Sequence, residues 1–261
     1  MDLELAGRTA IVTGASKGIG LAITAALAGE GVFVIAGARG SSSELETLVG
    51  SGSVQFVAAD LAEPSGPALL AETAFNRGGV DILVNNVGAT TPRVKGFLSV
   101  TDEQWLTSIN LNLMAAVRTT RAVLPLMLEA GHGCIVTTGS VNAFLPDPLV
   151  IDYSAAKAAL TNFSKSLSKE VGGKGIRVNT VSPGPVATDL WLGATGVAQT
   201  VASTLGGDPA AVAAHAAADS VTGRFTQPLE IADLVVFLCS DRAGNITGSD
   251  VTIDGGLITT L

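Results

Sequence analysis

Tyr153 and Lys157 are the two residues of this sequence whose types and spacing most clearly indicate chemistry. They lie four positions apart in the segment YSAAK, and Tyr153 is the only tyrosine in the chain. On a helix, residues i and i+4 share one face, so the phenol and the ammonium group would point the same way. A nearby ammonium group stabilises a phenolate, which lets a group with an ordinary pKa of about 10 exchange protons near neutral pH. The pair favours Tyr153 as general acid for a carbonyl oxygen or general base for an alcohol, although a half-buried tyrosine beside a surface lysine has the same spacing.

Two further polar residues are candidates to act with this pair. Ser140 follows the apolar segment GCIVTT, and the carboxyl ends of parallel strands line the ligand crevice of an open sheet. Its hydroxyl could donate to the same carbonyl oxygen as Tyr153. Asn112 lies within WLTSINLNLMAAV, where an amide on a mostly apolar helix needs a hydrogen-bond partner, commonly a water molecule.

A glycine-rich segment, TGASKGIG, runs from Thr13 to Gly20 between a short apolar run and a helical pattern. Gly14, Gly18 and Gly20 allow a sharp turn and a close backbone approach to a pyrophosphate, and the helix amino terminus adds unpaired N–H groups. The spacing is G-x-x-x-G-x-G rather than the general dinucleotide fingerprint G-x-G-x-x-G. Glycines also mark ordinary turns, but the strand–turn–helix context favours a dinucleotide-binding site.

Basic residues near this turn indicate which dinucleotide would bind. An acidic residue about 20 positions further on binds the ribose of NAD(H), whereas an arginine accommodates the 2′-phosphate of NADP(H). In this chain Arg39 ends the segment AGAR, and Lys17 lies within the glycine-rich turn. We therefore expect NADP(H) rather than NAD(H), since two cations suit a dianionic phosphate. The alternative is that both residues are solvated surface charges.

Short apolar runs alternate with longer helical patterns, and this alternation predicts the elements that position these residues. Runs that are apolar on both faces indicate strands covered by helices on each side. The predicted strands are 9–13, 32–36, 53–59, 80–85, 133–138, 176–182 and 250–254. The predicted helices are 19–29, 43–49, 67–77, 102–129, 151–171 and 229–239. With right-handed crossovers, this order predicts an α/β fold, a doubly wound (Rossmann) parallel sheet of about seven strands with helices on both faces.

No linker or change of composition divides the chain, so we expect one domain over residues 1–261. Residues 184–227 contain no predicted strand and hold an alanine-rich stretch that fits one or two short helices. A long insertion in a compact domain commonly covers a functional pocket. We interpret residues 184–227 as a lid over the substrate, the alternative being a solvated pair of surface helices.

Composition argues against several other classes of protein. The formal net charge is −8 with no basic run, which argues against nucleic acid and anionic membranes as partners. There is no signal-like amino terminus and no apolar stretch near the roughly 20 residues that span a bilayer, so we expect a cytoplasmic protein. We expect Cys134 and Cys239 to be reduced core residues and His132 and His215 to be surface residues, and no spacing suggests a metal site.

These motifs together resemble those of the single-domain short-chain dehydrogenases/reductases, and the resemblance covers essentially the whole chain. TGASKGIG is similar to the family's glycine motif, NNVG (85–88) to its N-N-A-G with valine for alanine, and ITGSDVTIDGG to its last strand. Asn112, Ser140, Tyr153 and Lys157 fall at the positions of the family's catalytic tetrad. The resemblance implies that Tyr153 donates the proton, and that Lys157 lowers its pKa and binds the nicotinamide ribose. It also implies that Ser140 orients the carbonyl and that Asn112 holds a water that relays protons.

The resemblance further implies a set of residues around the dinucleotide. Asp60 and Leu61 match the family's adenine-contacting pair, and Arg39 occupies a position linked to NADPH preference. The segment Pro183–Thr188 would hold the nicotinamide carboxamide, Val186 through its backbone. The expected cofactor-binding residues are Gly14, Ser16, Lys17, Gly18, Ile19, Gly20, Arg39, Asp60, Leu61, Asn86, Gly88, Tyr153, Lys157, Pro183, Gly184, Val186 and Thr188.

The expected activity is hydride transfer between the nicotinamide and a small-molecule ketone or secondary alcohol. Apolar side chains in the predicted lid and after Ser140 suggest reduction of an apolar ketone, unless they only pack the lid onto the domain. These side chains are Trp191, Leu192, Val197, Val201, Leu205, Phe144 and Leu145. Reduction of a 3-oxoacyl-(acyl-carrier-protein) thioester is the alternative, and a non-catalytic NADP(H)-sensing protein is a third possibility. The resemblance also implies a homo-oligomer, either a dimer or a tetramer.

Overall fold

The computed structural model describes residues 2–260, and within them seven strands form one parallel sheet. The strands are β1 (Thr9–Thr13), β2 (Phe33–Ala38), β3 (Val54–Ala58), β4 (Ile82–Asn85), β5 (Gly133–Thr138), β6 (Ile176–Pro183) and β7 (Asp250–Ile253). Their order is β3-β2-β1-β4-β5-β6-β7. The order changes direction between β1 and β4, and the carboxyl ends of strands at such a point border the ligand crevice of open α/β sheets.

Helices connect the strands on both faces of the sheet. They are α1 (Gly18–Gly29), α2 (Ser43–Gly50), α3 (Ser65–Asn76), α4 (Asp102–Ile109), α5 (Ala115–Ala130), α6 (Ile151–Val171), α7 (Asp189–Leu192), α8 (Val197–Leu205), α9 (Pro209–Ala218) and α10 (Pro228–Cys239). The predicted doubly wound parallel sheet is confirmed, and the bounds of each predicted strand are within two residues of those observed.

The apolar core is divided by the sheet into two clusters, because successive side chains of a strand point to opposite faces. Along β1, Ala10 and Val12 belong to one cluster and Ile11 to the other. The first cluster is closed by residues of α1, α2 and α10, and the second by residues of α3, α5 and α6. Strands that read as apolar on both faces are therefore covered on both faces.

The predicted helix over 102–129 has the correct extent but is not one continuous α-helix. A π-helical turn, Asn110–Met114, separates α4 from α5, and the Ala115 N–H donates to the Asn110 carbonyl five residues earlier. The expectation of a single α-helix was wrong here because a periodic apolar pattern does not reveal one inserted residue. Such turns occur frequently at functional sites, and Asn112 lies inside this one.

Residues 184–227 leave the sheet after β6 and form α7, α8 and α9. The alanine-rich stretch within them holds α8 and α9, in agreement with the one or two short helices expected there. Both ends of the segment are joined by a short parallel bridge between Val186 and Thr226. The Ala187 N–H donates to the Thr226 carbonyl at 2.9 Å. That these residues act as a lid stays a prediction.

The cysteines and histidines lie where the sequence predicts. Cys134 and Cys239 are buried and unbridged, and a hydrogen bond between them lowers the pKa of the first and raises that of the second. His132 and His215 are exposed. Over residues 2–260 no three His, Cys, Asp or Glu side chains group closely enough to hold a metal ion, and no helix there has the length and apolarity to cross a bilayer.

Candidate active site

The glycine-rich turn connects the carboxyl end of β1 to the amino terminus of α1, with Ser16 and Ile19 on either side of Gly18. Gly14 and Gly18 have φ angles of +66° and +55°, which residues with a Cβ rarely adopt. A Cβ on Gly20 would lie 2.2 Å from the Gly14 carbonyl oxygen, so no side chain fits there. The first turn of α1 carries no side-chain cap, which leaves its N–H groups available to an anion.

Asn86 joins the carboxyl ends of three neighbouring strands beside this turn. Its backbone N–H donates to Thr13 Oγ1 at 2.8 Å, and its Nδ2 donates to the Thr13 carbonyl at 3.0 Å. Its Oδ1 accepts from Thr138 Oγ1 at 3.2 Å. These bonds hold β1, β4 and β5 together at the crevice, so Asn86 positions the turn.

The segment Pro183–Thr188 lies against the glycine-rich turn. Thr188 Cγ2 is 3.3 Å from the place that a Cβ on Gly18 would take. Val186 is only 5% exposed, and its N–H donates to no acceptor within the described range 2–260. An N–H that lacks a partner in a buried residue is costly, and the carbonyl oxygen of a ligand amide would accept its hydrogen bond. The segment therefore fits the carboxamide-binding role that the resemblance implies.

The predicted charged and adenine-contacting residues follow the neighbouring strands on the same side of the sheet. Arg39 comes directly after β2, and Lys17 lies directly before α1. Both are exposed, and neither forms an ion pair with another residue of the described chain. Asp60 and Leu61 follow β3, with Asp60 exposed and Leu61 buried. The structure thus places two unpaired cations beside the glycine-rich turn.

Ser140, Tyr153 and Lys157 meet at the carboxyl end of β5. Tyr153 and Lys157 lie on one face of α6, with Lys157 Nζ 5.7 Å from the centroid of the Tyr153 ring. Nζ donates to the Thr138 carbonyl at 2.7 Å. Ser140 is near enough to hydrogen-bond the Tyr153 hydroxyl. A hydroxyl pair with a buried ammonium group behind it can polarise and protonate a carbonyl oxygen.

Burial dominates the titration of both α6 residues. It raises the pKa of Tyr153 above its ordinary value, and the hydrogen bond with Ser140 lowers that pKa by less. It lowers the pKa of Lys157 to about 8, since the charged ammonium form loses its hydration. Lys157 Nζ is bonded to the Thr138 carbonyl in this arrangement, and the lowering of the Tyr153 pKa by Lys157 that the resemblance implies stays a prediction.

Asn112 is buried in the π-helical turn, and its side-chain amide forms three hydrogen bonds with the backbone. Its Oδ1 accepts from the Ala89 N–H at 3.0 Å, and its Nδ2 donates to the Ala89 and Ser108 carbonyls at 2.9 and 3.0 Å. These bonds use both Nδ2 protons and one of the two lone pairs of Oδ1. That Asn112 holds a water, through its second lone pair or its backbone, stays a prediction. A Cβ on Gly88 would lie 3.0 Å from Asn112 Oδ1 and 3.4 Å from Lys157 Nζ, so Gly88 lets these two side chains approach each other.

An ion pair that the sequence reasoning missed lies one residue before the tyrosine. Arg93 Nε and Nη2 donate to the two carboxylate oxygens of Asp152 at 3.1 and 2.6 Å. The Arg93 and Asp152 side chains are 13% and 3% exposed. Burial raises the pKa of Asp152, but the bonds and charge of Arg93 outweigh it and hold that pKa below its ordinary value. No pattern could have shown this pair, because its members are far apart in sequence and Arg93 lies in an irregular loop.

The helices of residues 184–227 combine internal packing with exposed apolar groups. The rings of Trp191 and Phe225 pack 5.5 Å apart, which holds α7 to the returning chain. Leu192 and Leu205 are 50% and 67% exposed. After Ser140, Phe144 and Leu145 are also exposed, at 47% and 44%. The apolar side chains expected near the substrate are thus partly open to solvent.

Comparison with known proteins places this geometry in a family. A family model described as Enoyl-(Acyl carrier protein) reductase matches residues 14–258. The 3-oxoacyl-(acyl-carrier-protein) reductase FabG of Escherichia coli is 36% identical over 259 residues, which cover 98% of this chain and 99% of the relative. The oxidoreductase YvrD of Bacillus subtilis is 35% identical and covers 100% of both chains.

Two solved structures agree with this placement. The L-sorbose reductase of Gluconobacter frateurii, solved with NADPH and L-sorbose, has a TM-score of 0.91 and 36% identity over 100% of both chains. A gluconate 5-dehydrogenase homologue from Beutenbergia cavernae, solved with bound NADP, has a TM-score of 0.86 and 34% identity over 100% of both chains. With these matches over its whole length, the chain belongs to the short-chain dehydrogenase/reductase family and is an oxidoreductase.

Proposed function

We propose that the protein reduces a free ketone to a secondary alcohol with NADPH as the hydride donor. The observation that carries this proposal is the meeting of Ser140, Tyr153 and Lys157 beside a glycine-rich turn whose helix amino terminus is uncapped. Hydroxyl donors and a buried ammonium group at one point serve a carbonyl oxygen, and the turn serves a dinucleotide pyrophosphate.

The choice of NADPH over NADH rests on Arg39 and Lys17. Both cations are exposed and unpaired within residues 2–260, and no acidic residue stands at the end of β2, where Ala38 precedes Arg39. A guanidinium group donates a forked pair of hydrogen bonds to a phosphate. The structurally similar L-sorbose reductase, solved with NADPH, supports the same choice.

In the proposed reaction, the protein orients the carbonyl and supplies the proton. Ser140 donates a hydrogen bond to the carbonyl oxygen, and Tyr153 transfers its hydroxyl proton to that oxygen. Bound NADPH supplies the hydride to the carbonyl carbon. Lys157, which is charged below its pKa of about 8, stabilises the tyrosinate that remains. Asn112 holds Ala89 in place beside Gly88, so the wall next to Lys157 stays fixed.

The proposed substrate is a free ketone with an apolar part. Phe144, Leu145 and Leu192 are exposed apolar groups near the catalytic end of the sheet, and residues 184–227 would close over the substrate as a lid. The L-sorbose reductase, which binds a free ketose, supports a small ketone. Reduction of a 3-oxoacyl thioester remains the second candidate, because FabG of Escherichia coli is 36% identical over nearly the whole chain.

We also propose that the protein assembles as a dimer or tetramer. Leu106 on α4 is 67% exposed, and Leu98 in the loop before it is 97% exposed. An apolar patch that is contiguous on the surface marks an interaction site, and in this proposal Leu98 and Leu106 belong to one that a partner subunit covers. Size-exclusion chromatography with light scattering checks the proposal, and a monomeric mass at micromolar concentration contradicts it.

The proposed activity is tested by the loss of NADPH absorbance with a panel of apolar ketones and an acetoacetyl thioester. Turnover of free ketones that disappears in Tyr153→Phe, while this variant still binds NADPH, supports the proposal. Turnover of the thioester alone replaces it with the second candidate. Tight NADPH binding without turnover of any compound would favour a sensing protein.

A further inference from the structure

Asn142 contacts the catalytic serine through both its backbone and its side chain. Ser140 Oγ accepts from the Asn142 N–H at 3.2 Å and donates to Asn142 Oδ1 at 3.2 Å. The side chain is half-buried, and its Nδ2 donates to no atom of the described residues. One catalytic hydroxyl is therefore adjacent to an amide that offers both an acceptor and a donor.

Binding of a ketone must change this contact. Ser140 has a single hydroxyl proton, and in the proposed reaction that proton is donated to the carbonyl oxygen. Asn142 Oδ1 then loses its only donor among the residues of the described chain. The existing bond of 3.2 Å is longer than the roughly 2.8 Å that is common between oxygens, so Ser140 can release it easily.

A hydroxyl group on the carbon next to the carbonyl would restore the lost bond. Such a hydroxyl is on the carbon bonded to the reacting carbon, so it lies close to the carbonyl oxygen. A substrate whose carbonyl oxygen contacts Ser140 can therefore place this hydroxyl near Asn142, which is 3.2 Å from Ser140. It can donate to Oδ1 and accept from Nδ2, which matches both groups of the amide. An alkyl group at the same place would leave the half-buried amide without a partner.

The charges around the site favour a neutral substrate. The guanidinium group of Arg93, near the start of α6, already donates two hydrogen bonds to the Asp152 carboxylate. Lys157 is directed to the Thr138 carbonyl at 2.7 Å. Neither cation is free to pair with a carboxylate on the substrate.

We propose that Asn142 is a specificity-determining residue that selects ketones carrying a hydroxyl group on the adjacent carbon. This inference rests on the proposed ketone reduction and specifies its substrate class. The Asn142 amide binds the hydroxyl while Ser140 and Tyr153 bind the carbonyl oxygen. The remainder of the substrate extends toward the apolar groups Phe144 and Leu145.

The test compares two ketones of equal size in the holoenzyme with NADPH. Diethyl ketone and ethyl hydroxymethyl ketone differ only by a methyl group in place of a hydroxyl group. The hydroxyl also changes the intrinsic reactivity of the carbonyl. The measured quantity is therefore the kcat/KM for ethyl hydroxymethyl ketone divided by the kcat/KM for diethyl ketone, and this ratio is compared between variants. This ratio is independent of the fraction of enzyme that is folded, because both ketones are assayed on the same preparation.

Asn142→Leu, which keeps the size but removes the amide, is expected to lower the ratio about tenfold relative to the unmodified enzyme. Asn142→Ala provides the same comparison if leucine is not tolerated. Asn245→Leu, at an exposed asparagine after α10, should leave the ratio unchanged. A ratio that stays the same in both Asn142 variants overturns the inference and leaves the proposed function standing. Failure of the unmodified enzyme to reduce either ketone overturns the inference, whereas failure with the whole ketone panel overturns the proposed function as well.

Discussion

At the level of single residues, burial of Lys157 predicts how the reaction depends on pH. Its pKa is lowered to about 8 by burial, so the ammonium form is present below that value and lost as the pH rises through it. Tyr153, whose pKa burial raises, keeps its proton over the same range. We expect kcat/KM for ketone reduction to be level below pH about 8 and to fall above it.

Measurement of kcat/KM between pH values of roughly 6 and 9.5 checks this expectation. Lys157→Arg keeps a charge that is not lost in this range, so its residual activity should show no such fall. Lys169→Arg, at an exposed lysine of the same helix, should keep the profile of the unmodified enzyme. A fall of the same size in Lys157→Arg would mean that another group is titrating.

Arg39 is the residue at which cofactor choice should be reversible. Its exposed guanidinium has no ion-pair partner within the described residues, so a substitution breaks no internal contact. Arg39→Asp replaces a guanidinium group that donates hydrogen bonds to the 2′-phosphate with a carboxylate that repels it. The change should raise the KM for NADPH by about 10- to 100-fold. The KM for NADH should change much less. Arg39→Lys is the control that keeps the charge, and equal effects of Arg39→Asp on both cofactors would refute the assignment.

The chemistry-bearing residues differ in how well their sequence reveals them. Tyr153 and Lys157 are readable because helical spacing alone puts them on one face. Arg93 is not readable, because its contact with Asp152 depends on how a loop folds back onto the start of α6. Asn142 lies only two residues after Ser140, but the sequence does not show that its side chain turns back to the serine hydroxyl. Spacing also does not show how deeply the Tyr153 hydroxyl is buried, and burial is what raises the pKa of Tyr153.

At the level of elements, Arg93 and Asp152 fix the start of α6 to the loop after β4. Besides the two side-chain bonds, the Arg93 N–H donates to the Leu149 carbonyl at 2.6 Å. Asp152 lies in the first turn of α6 directly before Tyr153. The position of the catalytic hydroxyl therefore depends on a loop whose sequence shows no regular pattern.

Removal of one member of this buried pair leaves the other charge without a partner, at a cost of about 3 kcal/mol or more in the free energy of unfolding. We expect this loss in Arg93→Met and in Asp152→Asn, measured by urea denaturation, with a smaller additional loss in the double variant. Arg242→Met, which breaks the exposed pair with Glu4, should change the midpoint little. Additive losses from the two single changes would show that the pair is not coupled.

The helices and strands were predictable where apolar runs and their periodicity are regular, and α6 was predicted with its observed bounds. The π-helical turn at Asn110–Met114 was not, because the helical pattern over 102–129 does not show where one extra residue is inserted. Within this turn the Asn112 side chain bonds the backbone of Ser108 in the preceding helix and of Ala89 in a distant loop. The apolar periodicity of a sequence indicates which face of a helix is buried, but it does not indicate whether a given turn is α-helical or π-helical.

At the level of the whole molecule, residues 184–227 form a segment of three helices outside the sheet. Their ends are joined by the bridge of Val186 to Thr226 and by the packing of Trp191 on Phe225. Between these contacts α9 has no buried residue. Segments with few buried apolar contacts open at low free energy. The helices of this segment were predictable from the sequence, whereas the contacts that join its two ends were not.

Binding of NADPH should therefore slow amide hydrogen exchange in residues 185–193. Thr188 lies 3.3 Å from the Cβ position of Gly18. If the Val186 N–H binds the carboxamide as the resemblance implies, it gains an acceptor, and order should spread from the turn into α7. Mass spectrometry of exchanged peptides should show this slowing with NADPH and not with an equal concentration of NADH. Peptides from α5, whose inner residues Val123 and Met127 are fully buried, serve as the internal reference and should exchange at the same rate in each state. The Arg39→Asp variant should lose the effect at the same NADPH concentration. If NADPH binds and the exchange of residues 185–193 is unchanged, this segment is a static surface feature and another part of the chain must exclude water from the hydride transfer.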